Sequence, residues 1–359
     1  MKSPVCSALL LCFLIGPGLP RLAADDADAV RRLFEAGDFP GAAEHGLAAL
    51  GRSPEDIDLQ IDTGRALVRC GRWRDARPWL EQVVRRGRAG NWRTGWALFE
   101  LARIEFAQGE GAAAREHARL AVKQAATPTI VREGGRFLLL IGDGPAYRGW
   151  TTHETRHLRI HFAPGMAGLD PARFAERREA VLAANQAFFA AKLPKKIDLY
   201  VWPDEATARR AGLAQVGFAV PWCSVIHALR AQTPGHEIVH VLHHHAFHPR
   251  TPAGLVGEGV AVLFDGQPEA DRLRIAREAV QRAGVRTIAV ASLWREWPGT
   301  EPTWAYPVAG AVVEMLRRRG GDAHVKDLLA GGEFADAERL YGDDLAAWLE
   351  EFERALLAP

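Results

Sequence analysis

The feature that most constrains the fold of this 359-residue chain is a repeated pattern in its first third. Three segments share a glycine that ends one helix, a short polar turn and an alanine-rich amphipathic helix: EAGDFPGAAEHGLAAL, RCGRWRDARPWLEQVV and AQGEGAAAREHARLAV. Their glycines, Gly37, Gly71 and Gly109, are spaced by 34 and then 38 residues. One helix pair cannot bury its apolar face alone, so pairs with this period stack on their neighbours. The pattern predicts an all-α repeat region over residues 25–142.

The period and the helix pairing resemble tetratricopeptide repeats. The full consensus is absent, and three units is the minimum for a stable array, so a helical bundle without repeats is the alternative. Repeats of this type usually bind segments of partner proteins, and the resemblance therefore implies a protein partner on these helices. The region itself offers no residues for catalysis.

Residues 1–24 have the pattern of a secretory signal peptide. Lys2 precedes an apolar run from Val5 to Ile15, and Leu22-Ala23-Ala24 provides small residues for cleavage before Asp25. The run is too short to span a bilayer, and a buried N-terminal helix is the alternative. We expect the mature chain to be exported, either to the periplasm or as a secreted protein, with no stable membrane span.

The charge and the cysteine content limit the partners and the cross-links of the chain. Its 45 basic residues balance 44 acidic ones, which argues against binding to nucleic acid or to an anionic membrane. Removal of the signal segment leaves Cys70 and Cys223. One disulfide could form in an oxidising compartment, but we expect two cysteines in separate domains to be independent.

The pattern changes after the repeats. Residues 143–150 have the glycine and proline density of a linker, and residues 171–192 are typical of a helix. Three segments alternate or cluster like strands: HLRIHF (157–162), KIDLYVW (196–202) and WCSVIHAL (222–229). Strands followed by a largely helical C-terminal half predict an α+β domain over residues 151–359.

The stretch TPGHEIVHVLHHHAFH contains the arrangement HExxH. Thr233 and Pro234 predict the N-cap and first position of a helix. His236 and His240 are four residues apart and so project from one face, with Glu237 rotated by about 100°. In this arrangement two histidines bind zinc and the glutamate acts as a base on water. A surface helix with incidental histidines is the alternative.

Glu258 is the expected third ligand. Residues 241–257 separate it from His240, and Pro249, Pro252 and Gly254 within them break the chain, which allows a second helix to return toward the first. Gly259 and Ala261 are small residues beside it, as close packing of helices around one ion requires.

The histidines that follow HExxH do not fit a tetrahedral site. His244 would lie in line with the first two histidines along a straight helix, whereas zinc ligands converge from different directions. We therefore expect four histidines to be solvated or on the outer wall: His243, His244, His245 and His248.

HEIVH followed by EGVA resembles the gluzincin metallopeptidases of the peptidase MA-like families, whose signature is HExxH and then (W)xxEGxA. The resemblance covers about residues 151–359 and implies a zincin-like metallopeptidase domain. It implies His236, His240 and Glu258 as ligands of one zinc ion per chain, and Glu237 as the general base. Leu255 stands where relatives commonly have tryptophan.

Tyr306 and Asp265 are candidates for roles beside the ligands. PTWAYPVAGAVVEMLRRRGG resembles the family's tyrosine-containing helix, which implies that Tyr306 stabilises an oxyanion; a core tyrosine is the alternative. Asp265 is too far along the chain to orient a histidine ligand unless the chain bends.

The resemblance implies a zinc-dependent peptidase that acts on peptides or proteins. The segment Trp222 to Leu229 is expected to be the edge strand to which extended substrate adds. One alternative is a repeat-based binding module with a degenerate, non-catalytic zincin domain. Hydrolysis of another amide or an ester, and storage of several loosely held metal ions on the histidines, are the others.

Overall fold

The computed structural model of the chain describes residues 19–124, 126–249, 254–267, 270–297 and 303–358. The predicted signal segment falls mainly on residues 1–18, which lie outside the described residues. The first described helix begins at Leu19 and continues through the predicted cleavage position to Glu35. The chain divides into two compact units: residues up to Glu105 with Ala112–Gly135, and Phe106–Gly111 with Arg136–Pro359.

Helices in succession build the N-terminal region: α1 (Leu19–Glu35), α2 (Phe39–Arg52), α3 (Ile57–Arg69), α4 (Trp73–Arg86), α5 (Trp92–Ala107), α6 (Gly111–Gln124) and α7 (Pro128–Leu140). The marker glycines Gly37, Gly71 and Gly109 lie in the turns after α1, α3 and α5. Their φ angles are +82°, +71° and +91°, a conformation that favours glycine. The predicted helical repeat region is confirmed.

Small residues allow the repeat helices to pack closely. A Cβ at Gly46 would lie 2.1 Å from the Thr63 hydroxyl oxygen, and one at Gly64 would lie 2.7 Å from a Leu80 methyl group. The core of this unit also encloses the carboxylate of Glu100, which accepts a hydrogen bond of 2.8 Å from Arg103. The short distances at Gly46 and Gly64 show how closely the helix backbones approach each other, and this explains the alanine and glycine content of the repeats.

The second unit contains a five-stranded mixed sheet in the order β1-β2-β3-β5-β4. Its strands are β1 (Thr151–Glu154), β2 (Leu158–Phe162), β3 (Ile197–Trp202), β4 (Phe218–Val220) and β5 (Val225–Leu229). The strands β2, β3 and β5 are parallel neighbours, and β1 and β4 lie antiparallel at the two margins. The three predicted strands are therefore confirmed as β2, β3 and β5, whereas β1 and β4 were not predicted.

The predicted edge strand is wrong in its place in the sheet. Residues Pro221–Cys223 form a short 3-10 helix, and β5 begins only at Val225. β5 lies between β3 and β4, so the edge strand on this side of the sheet is β4.

Residues 143–150, predicted as a linker, carry aromatic side chains that pack on β3. The Tyr147 hydroxyl donates a hydrogen bond of 2.6 Å to the carbonyl oxygen of Leu139. The rings of Tyr147 and Trp150 pack edge-on against Tyr200 and Trp202. All six residues of β3 are consequently buried.

The remaining helices of the second unit are α8 (Pro171–Phe189), α9 (Glu205–Ala211), α10 (His236–Phe247), α11 (Leu255–Leu263), α12 (Arg272–Arg282), α13 (Val290–Arg295), α14 (Ala305–Gly331), α15 (Phe334–Tyr341) and α16 (Asp344–Leu357). All of them except α9 share one core with one face of the sheet, whereas Ala208 of α9 packs in a smaller cluster with Trp202 and Leu213. α14 is interrupted at Gly321, where φ is +79°. The unit is a mixed α/β structure.

Two further sequence expectations concern cysteines and membrane spans. Cys70 and Cys223 are both unpaired thiols, as expected, and they belong to different units. Within the described ranges, no helix combines the length and apolar character needed to cross a bilayer.

Candidate metal centre

The helix that contains HExxH, called the histidine helix below, begins at the first histidine of that motif. α10 starts at His236, not at the predicted first position Pro234, and Gly235 is its N-cap. The Gly235 amide donates a hydrogen bond of 2.9 Å to the carbonyl oxygen of Asp265. A Cβ at this position would lie 2.7 Å from the carbonyl carbon of Asp265, so the close approach of the two segments requires glycine.

Three side chains from two helices converge on one point. His236 and His240 lie one turn apart on α10, and Glu258 lies in the first turn of α11. The Glu258 Oε2 atom is 3.3 Å from His236 Nε2 and 3.4 Å from His240 Nε2. The two histidine Nε2 atoms are 3.3 Å apart. The ligand atoms therefore form a nearly equilateral triangle.

This triangle has the dimensions of one face of a zinc site. An ion about 2.0–2.1 Å from each of its tetrahedrally arranged ligands keeps the ligand atoms about 3.3–3.4 Å apart. Nitrogen and carboxylate oxygen are ligand atoms that zinc prefers. The side chains of His236, His240 and Glu258 are 21%, 14% and 15% exposed, so a fourth position faces solvent. The three residues fit zinc without rearrangement.

Glu237 lines the same cavity as the three converging side chains. Burial raises the pKa of its carboxyl group, and the neighbouring histidines only partly oppose that shift. A raised pKa is what a carboxylate needs to accept and return a proton near neutral pH. Burial also acts on Glu258, but its hydrogen bonds with His236 and His240 prevail and lower its pKa to about 2. The two carboxylates of the site thus differ in proton affinity.

The cavity has a volume of about 460 Å³ and opens along the margin of the sheet. Phe218 and Ala219 of β4 form one wall, and His244 of α10 contributes to another. Sequence reasoning missed β4 because three residues are too few for an alternating pattern. The only signal was Gly217 before it and Pro221 after it, since both residue types mark the ends of short strands.

Tyr306 lies at the cavity that contains the three converging side chains, which is the place that its predicted role requires. It is in the first turn of α14, it lines the cavity, and its ring centroid is 6.4 Å from that of His236. α14 is held against α11 by the small residue Gly259, at which a Cβ would lie 2.5 Å from the Ala309 carbonyl oxygen. Gly259, one of the two small residues beside Glu258, thus serves the contact with α14.

Asp265 does not contact a histidine of the site. Its carboxylate is buried and accepts a hydrogen bond of 2.9 Å from Arg272. The structure therefore gives it a partner other than the histidine ligands.

The expectation for the later histidines is wrong for His243. Its side chain is 3% exposed, and its Nε2 donates a hydrogen bond of 2.8 Å to the carbonyl oxygen of Leu329 in α14. Burial lowers its pKa to about 4. His245 is half-buried, 2.9 Å from the Ser224 hydroxyl oxygen, and His248 is exposed at the end of the helix. None of the three joins the triangle of the metal centre.

Comparison with known proteins identifies the repeats alone. A family model described as tetratricopeptide repeat matches residues 33–94. No curated protein matches the chain, and no solved structure does. The chain therefore has a tetratricopeptide-like helical region, which indicates a module that binds protein partners, followed by a mixed α/β unit.

Proposed function

We propose that the second unit is a zinc-dependent peptidase and that the helical repeats bind protein partners. The observation that carries the proposal is the triangle of His236, His240 and Glu258, whose edges of 3.3–3.4 Å match one face of a tetrahedral zinc site. Glu237 lines the same cavity as the three converging side chains, which is where a general base for the attacking water has to lie.

Each residue of the cavity has a role in this reaction. Zinc, when bound by the triangle, supplies a Lewis acid that makes water a better nucleophile and polarises the scissile carbonyl group. Glu237 accepts a proton from the attacking water and then passes it to the leaving amine. The Tyr306 hydroxyl donates a hydrogen bond to the developing oxyanion.

The margin of the sheet offers a place for the substrate backbone. β4 is the outermost strand, and its residues Phe218 and Ala219 line the cavity. An extended peptide would add to β4 by main-chain hydrogen bonds, with alternate side chains directed into the cavity. This replaces the earlier expectation that residues 222–229 receive the substrate.

The cellular location is part of the same proposal. The N-terminal pattern of Lys2, an apolar run and small residues before Asp25 favours export, to the periplasm or as a secreted protein. Detection of mature protein beginning near Asp25 outside the cytoplasm would support this part, and an unprocessed cytoplasmic chain would contradict it.

The test of the peptidase compares the wild-type chain with Glu237→Gln. Both are loaded with zinc and screened against denatured proteins, short peptides and model esters, so that ester or other amide hydrolysis is detected too. The expected result is peptide hydrolysis by the wild type, a loss of at least about 100-fold in Glu237→Gln, and equal zinc content in both. Activity that survives the substitution would contradict the assignment of the base.

The second candidate function is a protein-binding module whose α/β unit has no catalytic role. The match of residues 33–94 to tetratricopeptide repeats favours it, because this match needs no chemistry in the second unit. Absence of hydrolysis in both the wild type and Glu237→Gln, with protein binding retained by the repeats, would decide for this candidate.

A further inference from the structure

A second cavity of about 550 Å³ lies at the N-terminal end of α8 and is distinct from the metal centre. We call it the arginine cleft because four arginines line it: Arg173, Arg177, Arg178 and Arg230. Asp170 is the one acidic residue in its lining, and its carboxylate caps α8 by accepting hydrogen bonds of 3.0 and 3.2 Å from the amides of Ala172 and Arg173. The cleft therefore has a large excess of positive charge.

Arg178 is the buried member of this group. It is 5% exposed, its guanidinium lies 3.4 Å above the Phe174 ring, and its Nη2 donates a hydrogen bond of 3.3 Å to the Gln232 carbonyl oxygen. Within the part of the chain that the structure describes, no carboxylate pairs with it. Burial, together with the nearby charge of Arg177, lowers its pKa to about 9. A buried arginine without a carboxylate partner is unusual.

Positive charges are concentrated at this end of α8. Arg173 and Arg177 are one turn apart on α8, where like charges repel each other. They also lie in the first turns of a 19-residue helix, whose dipole favours negative charge at this end. Arg230 adds a fourth cation from the loop after β5. The planar guanidinium group binds carboxylates with two parallel hydrogen bonds, and several such groups around one cleft suit an oxyanion.

Gln232 connects the arginine cleft with the metal centre, because it lines both cavities. Its side chain lies against the backbone at the start of β4, since a Cβ at Gly217 would be 2.0 Å from Gln232 Nε2. Its amide oxygen accepts a hydrogen bond of 2.8 Å from the Leu229 amide, which fixes the side chain in this position. The two cavities therefore adjoin at Gln232, beside the start of β4.

We propose that the arginine cleft binds the carboxylate of an acidic side chain of the substrate and directs acidic peptides to the metal centre. The identity of the ligand as substrate rests on the proposed peptidase function. The binding of a carboxylate by the cleft does not depend on it.

The first test measures anion binding by calorimetric titration of the full chain with glutarate and with inorganic phosphate at low ionic strength. Arg177→Gln/Arg230→Gln changes two exposed arginines of the cleft, and Arg282→Gln is the matched control because Arg282 is exposed and lies outside it. Glu258→Gln removes one of the three converging side chains, so glutarate binding that survives this substitution does not depend on a bound metal ion. Circular dichroism establishes that each variant is folded.

The expected result is saturable glutarate binding to the wild type, Arg282→Gln and Glu258→Gln, weakened at least about tenfold in Arg177→Gln/Arg230→Gln. Equal affinity in all variants, or no saturable binding to the wild type, would overturn the proposal. Binding of phosphate without binding of glutarate would also overturn it, because the ligand would then be a phosphate group.

The second test compares pairs of peptides that differ at one position around the cleaved bond, where one peptide has glutamate and the other has glutamine. The wild type is expected to have at least about tenfold higher kcat/KM for one glutamate position, and Arg177→Gln/Arg230→Gln should lose this preference while still cleaving the glutamine peptides. Cleavage without any acidic preference would overturn the role in substrate selection. Glutarate binding that depends on the cleft, without cleavage of any peptide, would support the cleft and refute the peptidase.

Discussion

Gly259 is the residue whose enlargement should disturb the proposed metal centre without changing any of the three side chains that would bind the ion. It follows Glu258 on α11 and allows this helix to lie against α14. A Cβ at this position would be 2.5 Å from the Ala309 carbonyl oxygen and 2.6 Å from Val313 Cγ2, whereas ordinary contacts begin at 3.4 Å. Gly259→Ala therefore forces the helices apart by about 0.9 Å, since 3.4 minus 2.5 is 0.9.

The expected change in the free energy of unfolding is the sum of two opposing effects. Overpacking against a backbone atom that cannot rotate away costs about 3 kcal/mol, the upper end of the usual range. Alanine gains about 1 kcal/mol over glycine in helix propensity, so the free energy of unfolding should fall by about 2 kcal/mol. A shift of this size is also large beside the 3.3–3.4 Å edges of the triangle that contains Glu258. Zinc affinity should fall about 10- to 100-fold, as for the loss of a supporting residue.

The assay is urea unfolding of the full chain followed by circular dichroism, with zinc affinity from competition against a chelating dye. The control is Gly135→Ala on α7, where a Cβ meets nothing within 4 Å. It should stabilise its own unit by up to about 1 kcal/mol and leave zinc binding unchanged. Val313→Ala combined with Gly259→Ala should restore only part of the loss, because the Ala309 carbonyl remains in place. Wild-type stability and zinc affinity in Gly259→Ala would refute the reasoning.

Three further predictions concern the roles of individual side chains. Glu258→Gln should weaken zinc binding at least about 100-fold, and Glu237→Gln should leave it nearly unchanged; equal losses in a chelator competition would contradict the ligand set. Tyr306→Phe should lower kcat about 100-fold with little change in zinc content, and an unchanged kcat would leave Tyr306 a structural residue. His227 is buried and has a pKa lowered by burial from 6.5 to about 4, so the unfolded chain binds a proton first as pH falls. The contribution of His227 to stability should be complete above pH 6.5 and decline by about 3 kcal/mol toward pH 4, so the pH profile of a His227→Asn variant in urea unfolding should be flatter than that of the wild type; identical profiles would refute this.

Most of the successful sequence predictions rest on the spacing of residues that are close together in the sequence. The interval of four residues between His236 and His240 fixes them on one helical face, and the breakers before Glu258 fix the return of a second helix. The marker glycines likewise correspond to turns with positive φ. These features depend on a few neighbouring residues, so the sequence pattern alone contains them.

Long-range contacts account for what sequence reasoning missed. His243 is buried because its partner is the Leu329 carbonyl, 86 residues further along the chain. The arginine cleft brings residues of α8 together with Arg230, which lies in the loop after β5, with β3 and β4 between them in the sequence. β4 is a strand only because Ala219 pairs with Ile226 of β5. No local pattern encodes such neighbours.

α14 touches the histidine helix at two distant points, and this has a consequence for how the site can change. Tyr306 at its first turn lies beside His236, and the Leu329 carbonyl in its last turns holds His243. The bend at Gly321 sets the spacing between these two points. A mutational search for inactive but folded proteins should therefore recover substitutions along the buried face of α14, such as at Val312, as well as in the cavity. The length and the bend of α14 therefore determine how the histidine helix is positioned beside the cavity.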